Sequence, residues 1–120
     1  MKKVILFTSL IILLLIIGCS TAYKSLTVVM PDLALIKDGI YRGNYDMPST
    51  PVKATVNVIV QNHQINKIDI LEHFCSPIGK KAEKIIDSII EHQSLDVDVI
   101  SGATASSKTL LKAVENALNN

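Results

Sequence analysis

The sequence predicts an α+β fold, a small antiparallel sheet packed on one face by two helices. Three observations carry that prediction. Val52, Ala54, Val56, Val58 and Val60 alternate with Lys53, Thr55, Asn57 and Gln61, the period-two signature of a half-buried strand. Ile78, Ala82, Ile85, Ile86, Ile89 and Ile90 recur instead at spacings of three and four, with Lys80, Lys81, Lys84, Asp87 and Glu91 between them, which describes an amphipathic helix. Leu110, Leu111, Val114, Ala117 and Leu118 trace the inner stripe of a second helix at the carboxyl end.

The chain has 120 residues, and with a leader set aside the rest suffices for one small domain. The expected organisation is a lipoprotein-type signal peptide over 1–18, a membrane-proximal tether over 19–37 and a folded domain over 38–120. Lys2 and Lys3 precede an apolar run from Val4 to Ile17, shorter than the roughly 20 residues a membrane-spanning helix needs and built like a secretory signal. The run closes on Ile16, Ile17, Gly18 and Cys19, which resembles the lipobox of bacterial lipoproteins, with Ile16 where leucine is usual. That resemblance implies lipid on Cys19 and a position outside the cytoplasm, anchored to a bacterial membrane. Ordinary cleavage near Ala22 and an uncleaved anchor are the alternatives. With Cys19 lipidated, Cys75 is a single thiol, expected as a small, partly buried residue in a turn of Phe74, Cys75, Ser76 and Pro77.

The remaining elements follow in order. Ser20 to Met30 reads as spacer. Pro31 and Asp32 open a short helical turn through Leu33, Leu35 and Ile36, which Asp38 and Gly39 stop. Ile40 to Asp46 is strand-like around Gly43, whose missing side chain permits a bulge or the close approach of a ligand. Pro48 and Pro51 break the chain before the clear strand. Asn62, His63 and Gln64 then turn it back through Ile65, Ile68 and Ile70 as an antiparallel partner.

The run from Asp98 to Lys108 has the most distinctive chemistry. An apolar, β-prone approach (Val97, Val99, Ile100) meets Gly102 and the hydroxyls of Ser101, Thr104, Ser106 and Ser107, so the run reads as strand, tight turn and helix start. The first N–H groups of a helix lack partners and carry the positive end of its dipole. Gly102 would let a ligand approach the backbone, and the hydroxyls add short donors, a chemistry suited to cradling phosphate. A helix capped by one hydroxyl, with the others solvated, is the plainer reading, and spacing alone favours it.

Composition excludes some functions. A net charge of +1 with no basic block and few aromatic residues gives no footprint for nucleic acid. His63, His73 and His92 stand at no metal-ligand spacing with one another or with either cysteine; each is expected at the surface or in a turn, and no metal site is assigned.

Asp98, Ser101, Gly102, Ala103 and Thr104 resemble the flavinylation motif of the FMN-binding domain family, found in subunits of the sodium-pumping NADH:quinone oxidoreductase and the Rnf complex and in small exported flavoproteins. Asp38, Gly39, Tyr41 and Gly43 match a family-like opening, and Gln93, Ser94 and Asp96 match the approach to the motif. His73, Phe74, Cys75, Ser76 and Pro77 depart from a common His, any residue, Glu, Thr, Pro pattern by lacking the glutamate. The resemblance implies FMN joined to Thr104 through a phosphoester bond. It also implies an exported, magnesium-dependent flavin transferase that uses FAD as FMN donor, with Asp98 in transferase recognition. With the resemblance added, flavin attachment is favoured over mere capping, and Tyr41 and Tyr45 become candidates for stacking on the flavin ring. The expected function is an electron carrier between a redox donor and acceptor still to be identified, alone or docked to a membrane oxidoreductase complex. A small reductase of an extracellular acceptor, or a module binding an anionic or phosphorylated ligand noncovalently, are the alternatives.

Overall fold

The computed structural model describes residues 26–120. The leader and Cys19 lie outside those residues. Three antiparallel strands, β1 (Gly39–Asp46), β2 (Lys53–Gln61) and β3 (Gln64–Phe74), form a sheet in that order. Two helices, α1 (Ile85–His92) and α2 (Thr104–Leu118), cover one face of it, giving the expected α+β architecture.

The alternation of β2 places Ala54, Val56, Val58 and Val60 in the core. Asn62 and His63 both adopt positive φ in the two-residue link to β3, the left-handed pair that matches strand twist. β3 is longer than its sequence pattern suggests and runs on to Phe74. Register shifts opposite Thr55/Val56 and Ile59/Val60 change which residues of β3 face inward. Ile65, Ile68 and His73 are therefore all buried despite spacings that strict alternation forbids.

Gly43 meets the fold, not a ligand. A Cβ there would overlap the backbone of Ala113 and Ala117, so the glycine lets α2 lie directly on β1. Asn116 and Asn120 donate to the carbonyls of Asn44 and Arg42, so α2 runs antiparallel to β1. Its first residue, Thr104, thus stands at the end of the sheet where β1 and β3 finish.

The helix predicted from Ile78 to Ile90 is split into a 3-10 turn over Gly79–Lys84 and α1 after it. Spacings of three suit both geometries, so the apolar pattern does not separate them. Ile78 is 59% exposed and leaves the inner stripe in which the periodicity put it. Gly79 lets this turn pack closely, since a Cβ there would collide with Ser106 Oγ and Cys75 Cβ. α1 ends at Gln93, in the left-handed conformation, whose side chain bonds both backbone groups of Ile65 and so ties helix to sheet.

The segment read as tether is, from Thr27 onward, packed on the body. Val28, Met30, Leu33 and Ile36 rest against the core. The Val29 N–H donates to Glu115 Oε2 at 2.9 Å, and Lys112 Nζ donates to Thr27 O at 3.3 Å. Asp32 caps the short 3-10 turn Leu33–Leu35 through its bond from Ala34 N–H, so the cap residue and not Pro31 opens the turn. His63 Nδ1 lies 3.2 and 3.1 Å from the carbonyls of Leu33 and Ile36, which can only accept, so that nitrogen carries the proton.

Candidate functional site

The site is built at the start of α2. Residues 96–100 belong to no helix or strand, so the predicted strand before the turn is absent. They have no sheet partner, and their apolar side chains serve the packing instead: Val97 and Ile100 lean on the core while Val99 is exposed. Ile100, Ser101, Gly102 and Ala103 form a tight turn closed by Ala103 N–H to Ile100 O at 2.9 Å. Gly102 sits third with φ +81°, the position and sign that a type II turn reserves for glycine.

Ala103 then stands at the helix cap with no side-chain oxygen to offer, and no side chain caps α2. The plainer reading, a hydroxyl-capped helix, is thus not what the chain builds. The N–H groups of Thr104, Ala105 and Ser106 precede the first intrahelical bond, Ser107 N–H to Ala103 O, and point out of the helix end with its positive dipole. Thr104 and Ser101 are exposed beside them, and a Cβ on Gly102 would meet nothing within 4 Å. An uncapped dipole, an exposed alcohol and open space at the glycine together fit an esterified phosphate.

The other hydroxyls are part of the scaffold. Ser107 is fully buried; its Oγ donates to Ala103 O at 2.7 Å and accepts from Ile100 N–H at 3.1 Å, holding the turn against the helix. Ser106 is buried against Gly79 and Cys75. The sequence expects both among the ligand-facing donors, but the helical twist turns them inward while Thr104 stays outside. Asp98 is exposed and lines a cleft with Ser88, His92 and Asp96. Tyr41 lies toward the far end of α2, where it shares a cleft with Leu118 and donates to Lys37 O, so it does not flank Thr104. Tyr45 is half-buried against the core.

Sequence reasoning missed one cluster. His73, expected at the surface or in a turn, is buried on β3, with Nδ1 3.1 Å from Glu83 Oε1 and 3.7 Å from Cys75 Sγ. Its Nε2 is buried without a hydrogen-bond partner. Partial burial works against the charge on Glu83, yet hydrogen bonds from His73 and Lys80 and the nearby Lys80 ammonium prevail and hold its carboxyl below the usual range. Two bulges hid this cluster, because they decide that His73 faces inward. Among the described residues, no group of three or more His, Cys, Asp and Glu side chains is placed to hold a metal ion.

The chain is a small α+β domain that presents an exposed threonine at an uncapped helix start. The family model described as FMN-binding domain matches residues 49–119, more than half of the chain. The chain belongs to the FMN-binding domain family and is a flavin-binding protein. No curated protein matches it.

Proposed function

We propose that this protein is an extracytoplasmic, lipid-anchored electron carrier that holds FMN through a phosphoester bond to Thr104. The observation that supports this most is the exposed Thr104 alcohol as the first residue of a helix that no side chain caps. Helix-end attraction for a phosphate contributes only about 0.3 to 2 kcal/mol, whereas even millimolar retention requires about 4 kcal/mol, so a covalent bond is what keeps a dilute cofactor in place.

Thr104 is a weak nucleophile, and nothing else in its turn is an obvious base, so a separate transferase supplies the catalysis. In that step the Thr104 oxygen forms a bond to the FMN phosphorus of FAD, the pyrophosphate bond breaks, AMP leaves and the hydroxyl proton passes to the transferase. The N–H groups of Thr104, Ala105 and Ser106 would hold the phosphate, and Ser107 braces the turn through its bonds to Ala103 O and Ile100 N–H. Bound FMN supplies the electron chemistry, accepting and releasing one or two electrons. A separate redox donor and a separate acceptor exchange electrons with the bound flavin.

Intact mass after coexpression with a flavin transferase tests the reading. Wild type gains the mass of one FMN minus water and absorbs in the visible, and Thr104→Ala does neither. An unmodified, colourless wild type, or an adduct that persists in Thr104→Ala, overturns it.

A further inference from the structure

From the path of the chain into the domain we infer that the α2 face carrying Thr104 is turned toward the lipid surface, an orientation that rests on the proposed anchor at Cys19. Thr104, Lys108, Lys112 and Glu115 follow one another at intervals of four, four and three, so they form one stripe along α2. The incoming segment lies on that stripe. Thr27 O accepts from Lys112 Nζ at 3.3 Å, Val29 N–H donates to Glu115 Oε2 at 2.9 Å, and Pro31 to Lys37 reach the cleft beside Leu118 and Asn119. The segment therefore runs parallel to α2, with Thr27 beside Lys112 nearer the Thr104 end than Val29 beside Glu115.

The clamp is firm enough to define a direction. Glu115 is buried, its second carboxylate oxygen takes Lys112 Nζ at 2.9 Å, and Val28 and Met30 pack on the core. Seven Cα steps separate Leu26 from Cys19, a covalent reach of at most about 25 Å. Thr104 lies about 12 Å along the helix axis from Lys112. The described chain thus enters the domain on the face of α2 that carries Thr104, where Val29 adds a side chain 62% exposed, and an anchor this short keeps that face nearer the lipid than the opposite, outer sheet face bearing Arg42, Asn57 and Lys67. The short tether and its clamp impose the orientation, so raised salt leaves it intact.

The test uses the full chain purified from membranes, without coexpressed transferase and in a Cys75→Ser background, reconstituted into phosphatidylcholine vesicles with nitroxide-labelled lipids. A fluorophore is placed at Thr104→Cys or at Lys67→Cys. Quenching several-fold stronger at residue 104 than at residue 67, unchanged at high salt and evened out in Glu115→Ala with its far-UV spectrum intact, is the expected result. Equal quenching, stronger quenching at residue 67, or a contrast that needs an added protein overturns the orientation. An intact mass showing Cys19 bare, with the protein lost from the vesicles, overturns it through the anchor instead, and the two failures are read from separate instruments.

Discussion

Thr104 and Ser107 show how neighbouring hydroxyls on one helix turn acquire opposite duties. The first is exposed at the helix start; the second is buried, with donor and acceptor both engaged. Thr104→Ala should abolish flavin attachment while shifting stability by less than about 0.5 kcal/mol, measured by urea denaturation of the unmodified proteins. Ser107→Ala strands the Ile100 N–H and should cost about 1 to 3 kcal/mol in the same assay, with reduced rather than abolished flavinylation. The motif was legible as a string of hydroxyls. Which of them faces solvent depends on helix phase, and that is fixed by where α2 meets the sheet.

Between elements, the closest contact is β1 with α2 at Gly43. Gly43→Val drives a branched side chain into the Ala113 and Ala117 backbone, which no rotamer relieves, so a loss of more than about 3 kcal/mol or failure to fold is expected. Ile89→Ala in α1 removes a fully buried side chain and should cost about 2 to 5 kcal/mol, read as a fall in thermal midpoint. The valine alternation gave away β2, and both helical stripes were legible, because each repeat is local. The extent of β3, the 3-10 turn before α1 and the unpaired approach at residues 96–100 were not, since bulges and close helix contacts are properties of pairs of elements.

For the whole molecule, Glu83 links the turn after β3 to the buried His73. A carboxyl held below its unfolded value stabilises the fold above that value, near pH 4.5, and the contribution disappears as pH falls through the folded value. Glu83 is 37% exposed, so solvent screening limits the effect to about 1 kcal/mol or less. Glu83→Gln should therefore lower stability at pH 7 and flatten the loss between pH 7 and pH 3, measured by denaturation at each pH; an unchanged acid limb would refute the assignment.

The sequence by itself determined the α+β class and the turn that presents Thr104, because periodicity and turn residues are written along the chain, while the flavin reading entered through its resemblance to the FMN-binding domain family. Only the tertiary structure decided that Gly43 serves helix packing, that Ser106 and Ser107 face inward, that His73 is buried beside Cys75 and Glu83, and that residues 27–36 lie along α2. Those outcomes depend on how separate segments meet in space, where a one-residue shift in register or a turn of helix phase exchanges inside for outside.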